Sequence, residues 1–332
     1  MRRPRSGLPP SNGPHRSQPR AAVAARRRER GAALLTAMIV VTLVATIAAS
    51  MVWQQWRAVQ VESAERARTQ SAWILAGALD WARLILREDA RNGGADHLGE
   101  PWAVPLAEAR LSTFLATDSS NTDDAPDAFL SGAISDAQGR YNLTNLVANN
   151  KVEPNELAAL ARLCEAIGIS QEVAGRVANG LAAAVAGADA TAPLQPRIVP
   201  QLTWLGIDAD SVRALTPYVV LLPRATPVNV NTASREVLVA AIKGLDLATA
   251  ERLIQVRQRS PFTDLAQVDR ELPQLAPIDR TRVGVASSFF EVRGRLRLGD
   301  RVLDQTSLVE RRGLDIVVLQ RQRTPGRDTG TS

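Results

Sequence analysis

No pair of cysteines exists in this chain: Cys164 is alone among 332 residues. An internal disulfide is therefore impossible, and metal sites built on two thiolates are excluded. Histidine is nearly as scarce, with only His15 and His97. His15 lies in an arginine-rich N-terminal stretch, so neither a Cys/His metal cluster nor a Ser-His-Asp arrangement can be assembled comfortably. His97, in Asp96-His97-Leu98-Gly99, reads as a solvated loop residue. No Gly-rich phosphate loop and no convergent nucleophile is present. Together these absences point away from an enzyme.

Two further absences organise what is there. No charged residue stands between Arg30 and Arg57, and no proline between Ala21 and Glu100. The apolar run over residues 32–53 supplies about 20 residues at roughly 1.5 Å rise, which matches a hydrocarbon core of about 30 Å. Arg26-Arg27-Arg28-Glu29-Arg30 stands directly before it. An uncleaved signal anchor is the plainer alternative, and an ordinary secretory signal peptide is another. The run is long, however, lacks a small-x-small site with a polar shoulder, and flows into more helix. The net charge of +6 and pI near 10.5 invite a nucleic-acid reading. Nine of the 40 basic residues but only one of the 34 acidic ones precede the run, leaving 31 against 33 beyond it. The basicity thus belongs to the leader, where it keeps that end cytoplasmic.

Residues 1–25, rich in Pro, Ser, Gly and Arg, read as unstructured. Past the membrane the pattern stays helical, with Trp73, Leu75, Leu79, Ala82 and Leu86 near an i, i+4, i+7 stripe. One helix of roughly 55–60 residues, ending at Asn92-Gly93-Gly94, follows from the 3.6-residue period and the glycine stop. Residues 95–127 read as an acidic loop. Asp118, Asp123, Asp124 and Asp127 could hold calcium, although no EF-hand spacing is present and a solvated loop is the simpler reading. Residues 128–135 and 140–146 read as two strands of a hairpin about Asp136-Ala137-Gln138-Gly139. From 153 the period becomes helical, with Leu157, Leu160, Leu163, Cys164 and Ile167 on one face. Further helical segments follow at 171–185, 211–215, 235–242, 247–259 and near Leu265, with Thr232 or Ser234 as an N-cap. Cys164 is expected as a buried small hydrophobe. Residues 288–323 alternate, and turns at Gly299 and Gly313 divide them into a three-stranded meander.

These elements give an α+β fold class: a long N-terminal helix packed on an antiparallel sheet, with a large all-α insertion between sheet strands. The expected organisation is a leader over 1–31, a membrane or assembly half-helix over 32–53, and a soluble helix half, loop and hairpin over 54–149. A helical insertion follows over 150–283, in two subunits divided near 225, then C-terminal strands over 284–323 and a tail over 324–332.

Four segments carry a family resemblance. They are Arg30-Gly31-Ala32-Ala33-Leu34-Leu35, Ile134-Ser135-Asp136-Ala137-Gln138-Gly139-Arg140-Tyr141-Asn142-Leu143, the stretch 227–234 and Phe290-Glu291-Val292-Arg293-Gly294. In this order and spacing, the chain resembles the type II secretion system protein K family, minor pseudopilins of Gram-negative bacteria, from Arg30 to about Arg323. The resemblance implies a pilin-like fold and cleavage by a prepilin peptidase between Gly31 and Ala32. Ala32 would then be the N-terminus, usually N-methylated, although the commonest pattern has Phe or Met there. Most pilin-like subunits carry Glu at the fifth mature position, where its charge meets the terminal amine of a neighbour; here that position is Thr36. A neutral residue needs no amine above it, which suits the tip of a filament. The plainer reading is that the hydroxyl bonds back to the helix. Implied partners are other minor pseudopilins through their N-terminal helices, with secreted substrates and the secretin as further contacts. The implied location is the inner membrane, single pass, with the C-terminal domains in the periplasm. No cofactor is implied.

The stretch from Asn229 through Gly244-Leu245-Asp246 to Pro261-Phe262 also resembles helix-hairpin-helix units of membrane-anchored DNA-uptake receptors. Such hairpins use Gly-x-Gly to bring backbone N–H groups close to phosphate. Asp246 replaces the second glycine and would repel it, so nucleic-acid binding is not expected.

Overall fold

The computed structural model describes residues 21–111, 128–187, 192–299 and 301–326. Asp118, Asp123, Asp124 and Asp127 lie outside these, as does the tail beyond 326. The chain forms two compact units, Met1–Thr69 and Gln70–Ser332.

The described part of the first unit is helical throughout and belongs to α1, Ala21–Asn92. This helix starts earlier than the apolar run suggested, since residues 21–30 are all Ala, Val, Arg or Glu and nothing breaks them. At its other end Gly93 and Gly94 take φ of +63° and +116°, a conformation that a Cβ would oppose, and the helix stops.

The second unit contains a five-stranded antiparallel sheet. Its strands are β1 (Leu106–Arg110), β2 (Ala128–Asp136), β3 (Phe289–Leu298), β4 (Arg301–Arg312) and β5 (Asp315–Pro325), adjacent in that order. Gly299 and Gly313, both at positive φ, turn β3 into β4 and β4 into β5. One face of the sheet meets α1. Leu75, Leu79, Ala82 and Leu86, spaced four, three and four apart, are all buried against Leu130, Phe290, Val292, Leu296, Val309 and Ile316. Trp102 closes one end, edge-on to Phe290 at 5.2 Å between ring centroids. Gly132 is needed where β2 crosses β3, because a Cβ there would lie 2.8 Å from the Arg293 carbonyl oxygen.

Between β2 and β3 the chain builds a second core from helices α2 (Pro154–Ala166), α3 (Glu172–Ala186), α4 (Ala209–Leu215), α5 (Arg235–Ala241), α6 (Leu247–Arg259) and α7 (Leu265–Glu271). Leu160, Leu163, Leu202, Leu238 and Leu253 are fully buried at its centre. Cys164 is buried among them, and burial pushes its thiol up to about 11, which leaves it unreactive at neutral pH. Asp208, Ser234, Asp246 and Asp264 cap α4, α5, α6 and α7 by accepting a backbone N–H three residues on.

Three sequence expectations fail. The hairpin at 136–139 does not form. Asp136 instead accepts from the Gln138 amide at 2.7 Å in a 3-10 turn, and Tyr141–Asn142 leaves the sheet to pair in parallel with Val219–Val220. The true partner of β2 is β3, from Ala128↔Leu298 to Asp136↔Phe290. Tyr141 is buried in the helical core, where its hydroxyl donates to Glu156 at 2.7 Å. The loop over 95–127 contains a 3-10 turn, Pro101–Ala103, and strand β1, whose register shifts between Leu106 and Ala109 and so shows no clean alternation. Trp73 does not join the buried stripe; it is 75% exposed.

The two faces of α1 give a test. Leu79→Ala is expected to cost about 2–5 kcal/mol in urea unfolding, the usual range for a buried leucine. Trp73→Ala should stay within about 0.5 kcal/mol of wild type.

Candidate functional site

Three places on the molecule carry functional potential. The first is the N-terminal half of α1. Gly31 and Ala32 are exposed on the helix, and a Cβ built at Gly31 meets nothing within 4 Å. Packing among the described residues therefore does not require glycine there, although glycine costs a helix interior about 1 kcal/mol. The hydroxyl of Thr36 donates to the carbonyls of Ala32 at 3.1 Å and Ala33 at 3.0 Å. Thr42, Thr46 and Ser50 bond back in the same way. Every hydroxyl from Ala32 to Val52 thus has a partner inside its own helix, which is what a lipid environment demands. The segment is fully exposed, and within Gly31–Asn92 it is long and apolar enough to cross a membrane. Trp53 and Trp56, 5.5 Å apart between rings, mark its end just before Arg57.

The second place is the outward side of α1 in the second unit. Trp73, Trp81 and Leu84 are 75%, 51% and 55% exposed, and a Cβ at Gly77 would meet open space. Beside them lies a largely apolar cavity of about 340 Å³, lined by Ala78, Trp81, Pro101, Val104 and Ala133 among others. Large apolar side chains grouped in this way are costly in water and characterise protein-binding surfaces.

The third place is a buried polar junction. The carboxylate of Asp136 is almost completely shielded from water. It accepts from Ser287 Oγ (2.6 Å), Thr232 Oγ1 (2.6 Å), Asn229 Nδ2 (2.9 Å) and the Gln138 amide (2.7 Å). Thr232, one of two capping candidates, is therefore occupied here, and Ser234 caps α5. Next to it, Arg311 donates to Asp89 at 2.6 Å, to both oxygens of Asp96 at 2.6 Å and to the Ser287 carbonyl. Asp89, Asp96 and Glu100 bring carboxylate oxygens within 4.8 Å of one another. This is the metal-like grouping among the described residues, and the Arg311 guanidinium supplies positive charge to it. Glu100 itself accepts from the His97 amide and from Trp102 Nε1, both at 2.8 Å.

The stretch that resembles a helix-hairpin-helix unit disfavours phosphate. Asp246 accepts from the Thr249 amide at 2.8 Å and its hydroxyl at 3.0 Å, and these bonds hold its carboxyl below the usual range. An ionised carboxylate stands at the α6 N-terminus, where a phosphate would have to sit.

Burial raises the carboxyl of Asp89 from 3.8 to about 6, helped by Glu100 and opposed by Arg311; burial also raises Asp96 and Asp136. A carboxyl raised in the folded state holds a proton that the unfolded chain releases, so it stabilises at low pH and that stability is lost as pH rises. The urea midpoint should therefore fall between about pH 4 and pH 6 through this cluster. Asp89→Asn should flatten that fall; an unchanged profile would show that Asp89 is not its source.

Comparison with known proteins places this geometry in a family. The sequence model described as "Type II secretion system (T2SS), protein K" matches residues 228–288, and a companion model of the same description matches 139–224. Together they cover the helical unit. The chain is 31% identical to type II secretion system protein K of Pseudomonas aeruginosa, over 83% of this chain and 87% of that one. Identity to the protein of the same name from Pectobacterium carotovorum is 29%, over 90% and 97%. Among solved structures, a chain in the crystal structure of the GspK-GspI-GspJ complex from the enterotoxigenic Escherichia coli type 2 secretion system shares the fold. Its TM-score is 0.60 at 22% identity, covering 79% of this chain and 99% of that one. The long helix, the antiparallel sheet and the helical insertion are thus the pilin-like fold, and the chain belongs to the type II secretion system protein K family.

Proposed function

We propose that this chain is the tip subunit of a pseudopilus, which it nucleates or caps for export of folded proteins from the periplasm across the outer membrane. It is held first in the inner membrane, with its C-terminal domains in the periplasm. A prepilin peptidase cuts between Gly31 and Ala32, and Ala32 becomes the N-methylated terminus. The chain is structural and catalyses nothing.

The observation that carries this reading is Thr36. A carboxylate at the fifth position after the cut would cost about 3 kcal/mol in hydrocarbon unless a cation met it. Thr36 has no such need, because its hydroxyl is satisfied four and three residues back. A subunit that asks nothing of a neighbour above can occupy the end of a filament. The helical insertion favours the same position, since a shaft subunit has lateral neighbours that such a unit would crowd. The open Cβ direction at Gly31 fits a demand from outside the chain, namely close approach by the protease.

Its binding partners are other minor pseudopilins. The structural relative from Escherichia coli was crystallised with GspI and GspJ. In this chain the exposed Trp73, Gly77, Trp81 and Leu84, with the cavity beside Trp81, form a surface for a partner's apolar helix.

Gly31→Leu should leave the uncleaved precursor on a gel of membrane fractions; normal processing would refute the cut. Thr36→Glu should impair secretion while processing continues, and unimpaired secretion would remove the argument from the neutral position. Trp73→Ala with Trp81→Ala should leave the fold intact and weaken co-purification with the other minor pseudopilins by roughly tenfold or more, as loss of two aromatic anchors does elsewhere.

A further inference from the structure

Two adjoining hollows open where the helical insertion meets the sheet. Phe290 and Val309 pack toward α1, so their strand neighbours Phe289 and Leu308 face the other way. On that side Val220 and Leu222 of the insertion pack with Phe289, and Leu308 and Leu319 lie against them. The larger hollow, about 350 Å³, is lined mainly by apolar side chains: Leu308 and Leu319 from the sheet, Leu143, Leu181, Val185 and Leu222 from the insertion. The smaller, about 160 Å³, is more polar, with Arg140, Glu291, Arg293, Thr306 and Gln322 in its lining. Both share Arg197, Leu221, Leu308 and Gln320, so they form one seam.

Charge is unanswered where the two hollows meet. Glu291 is the one acid among the described residues of either lining, and it accepts from Arg140 at 2.7 Å and from Arg293 at 3.4 Å. Arg197 is exposed, and its guanidinium meets no acceptor among the described residues. Its backbone amide donates to Gln201 Oε1 at 2.8 Å, which fixes the chain at this point. The side chains of Thr306, Gln320 and Gln322 likewise have no hydrogen-bond partner among the described residues. One cation and three polar groups therefore line a seam that is apolar at one end.

We propose that this seam binds the C-terminal end of a partner polypeptide that finishes in a large apolar residue. The apolar hollow takes the last side chain, Arg197 takes the terminal carboxylate, and Thr306, Gln320 and Gln322 bond the main chain before it. A terminal residue carries its carboxylate and its side chain on one Cα, which suits a cation and an apolar hollow that share a wall. At about 350 Å³ the hollow is at the lower end of the range for ligand pockets, about 300–1,000 Å³, and holds side chains rather than a helix. A fatty acid would match the hollow and the cation. Its alkyl chain would leave the amides beyond them unmet, whereas a peptide brings a donor and an acceptor with almost every residue. The seam is on the side of the sheet away from α1, so it can be filled whatever binds Trp73 and Trp81.

The test is isothermal titration calorimetry of the full chain in a neutral detergent. The probe is an octapeptide of glycine and serine that ends in leucine with a free carboxylate. Binding is expected, and amidating the C-terminus should weaken it roughly tenfold or more, because the charge-assisted bonds to Arg197 are lost. Arg197→Gln should cost as much and should make the free and amidated peptides bind alike, whereas Arg197→Lys should keep part of the difference. Val185→Asp, at a position 40% exposed in the lining of the hollow, should weaken binding about tenfold by making the hollow polar. Arg213→Gln, exposed on α4, should change nothing. The comparison of free with amidated peptide uses the unaltered chain, so it decides the matter even where a variant does not fold. No binding at about 1 mM peptide, equal affinity for the amidated form, or wild-type affinity after Arg197→Gln overturns the proposal. So does full displacement of the peptide by an equal concentration of octanoate, which would make the seam a fatty-acid site.

Discussion

The second unit depends on one buried carboxylate. Asp136 ends β2 at the point where the chain leaves the sheet for the helices, and its four donors come from the turn that follows, from residues 229 and 232, and from residue 287 where the chain returns. A carboxyl out of water costs several kcal/mol unless its lone pairs are occupied. The path out and the path back are therefore held together by hydrogen bonds that cannot be left unmade. Arg311 extends the junction to the end of α1 through Asp89 and to the following loop through Asp96. Around it Gln138 donates to the Pro227 carbonyl and accepts from the Ser288 amide, so each segment at the crossing contributes polar partners as well as apolar surface.

Two cores follow from this junction. In one, a helical stripe of small and branched residues meets the inner face of the sheet, with Gly132 and Gly294 allowing close approach. In the other, the helices enclose Leu160, Leu163 and Leu238. The polar junction fixes how the strands and helices meet, because hydrogen bonds to a buried charge have direction and apolar contacts do not. The N-terminal half of α1 obeys another rule. Among the described residues its apolar side chains have no internal partner, and its hydroxyls are turned back on their own helix, leaving a surface suited to lipid and to the apolar helices of other subunits.

Much of this was legible in the residues. The long helix, its glycine stop, the closing meander and most insertion helices follow from period and turn chemistry, because each is set by neighbours close in sequence. The hairpin misreading shows the limit. Ala128-Phe129-Leu130 and Tyr141-Asn142-Leu143 both favour strands, and Asp136 to Gly139 favours a turn. Tyr141 nonetheless gains more in the helical core, and β2 finds β3 across the whole insertion. Strand β1 leaves no mark in the sequence because its bulge erases alternation, and Trp73 looks like a core residue because helical period does not say which apolar face is covered.

The sequence by itself determined the membrane segment, the neutral Thr36 and the family resemblance, since each is a property of residue type or local spacing. Only the tertiary structure decided that Asp136 gathers residues from both ends of the insertion, that Arg311 balances the Asp89–Asp96–Glu100 cluster, and which apolar side of α1 remains uncovered. These are relations between segments far apart in the chain, and no local propensity encodes them.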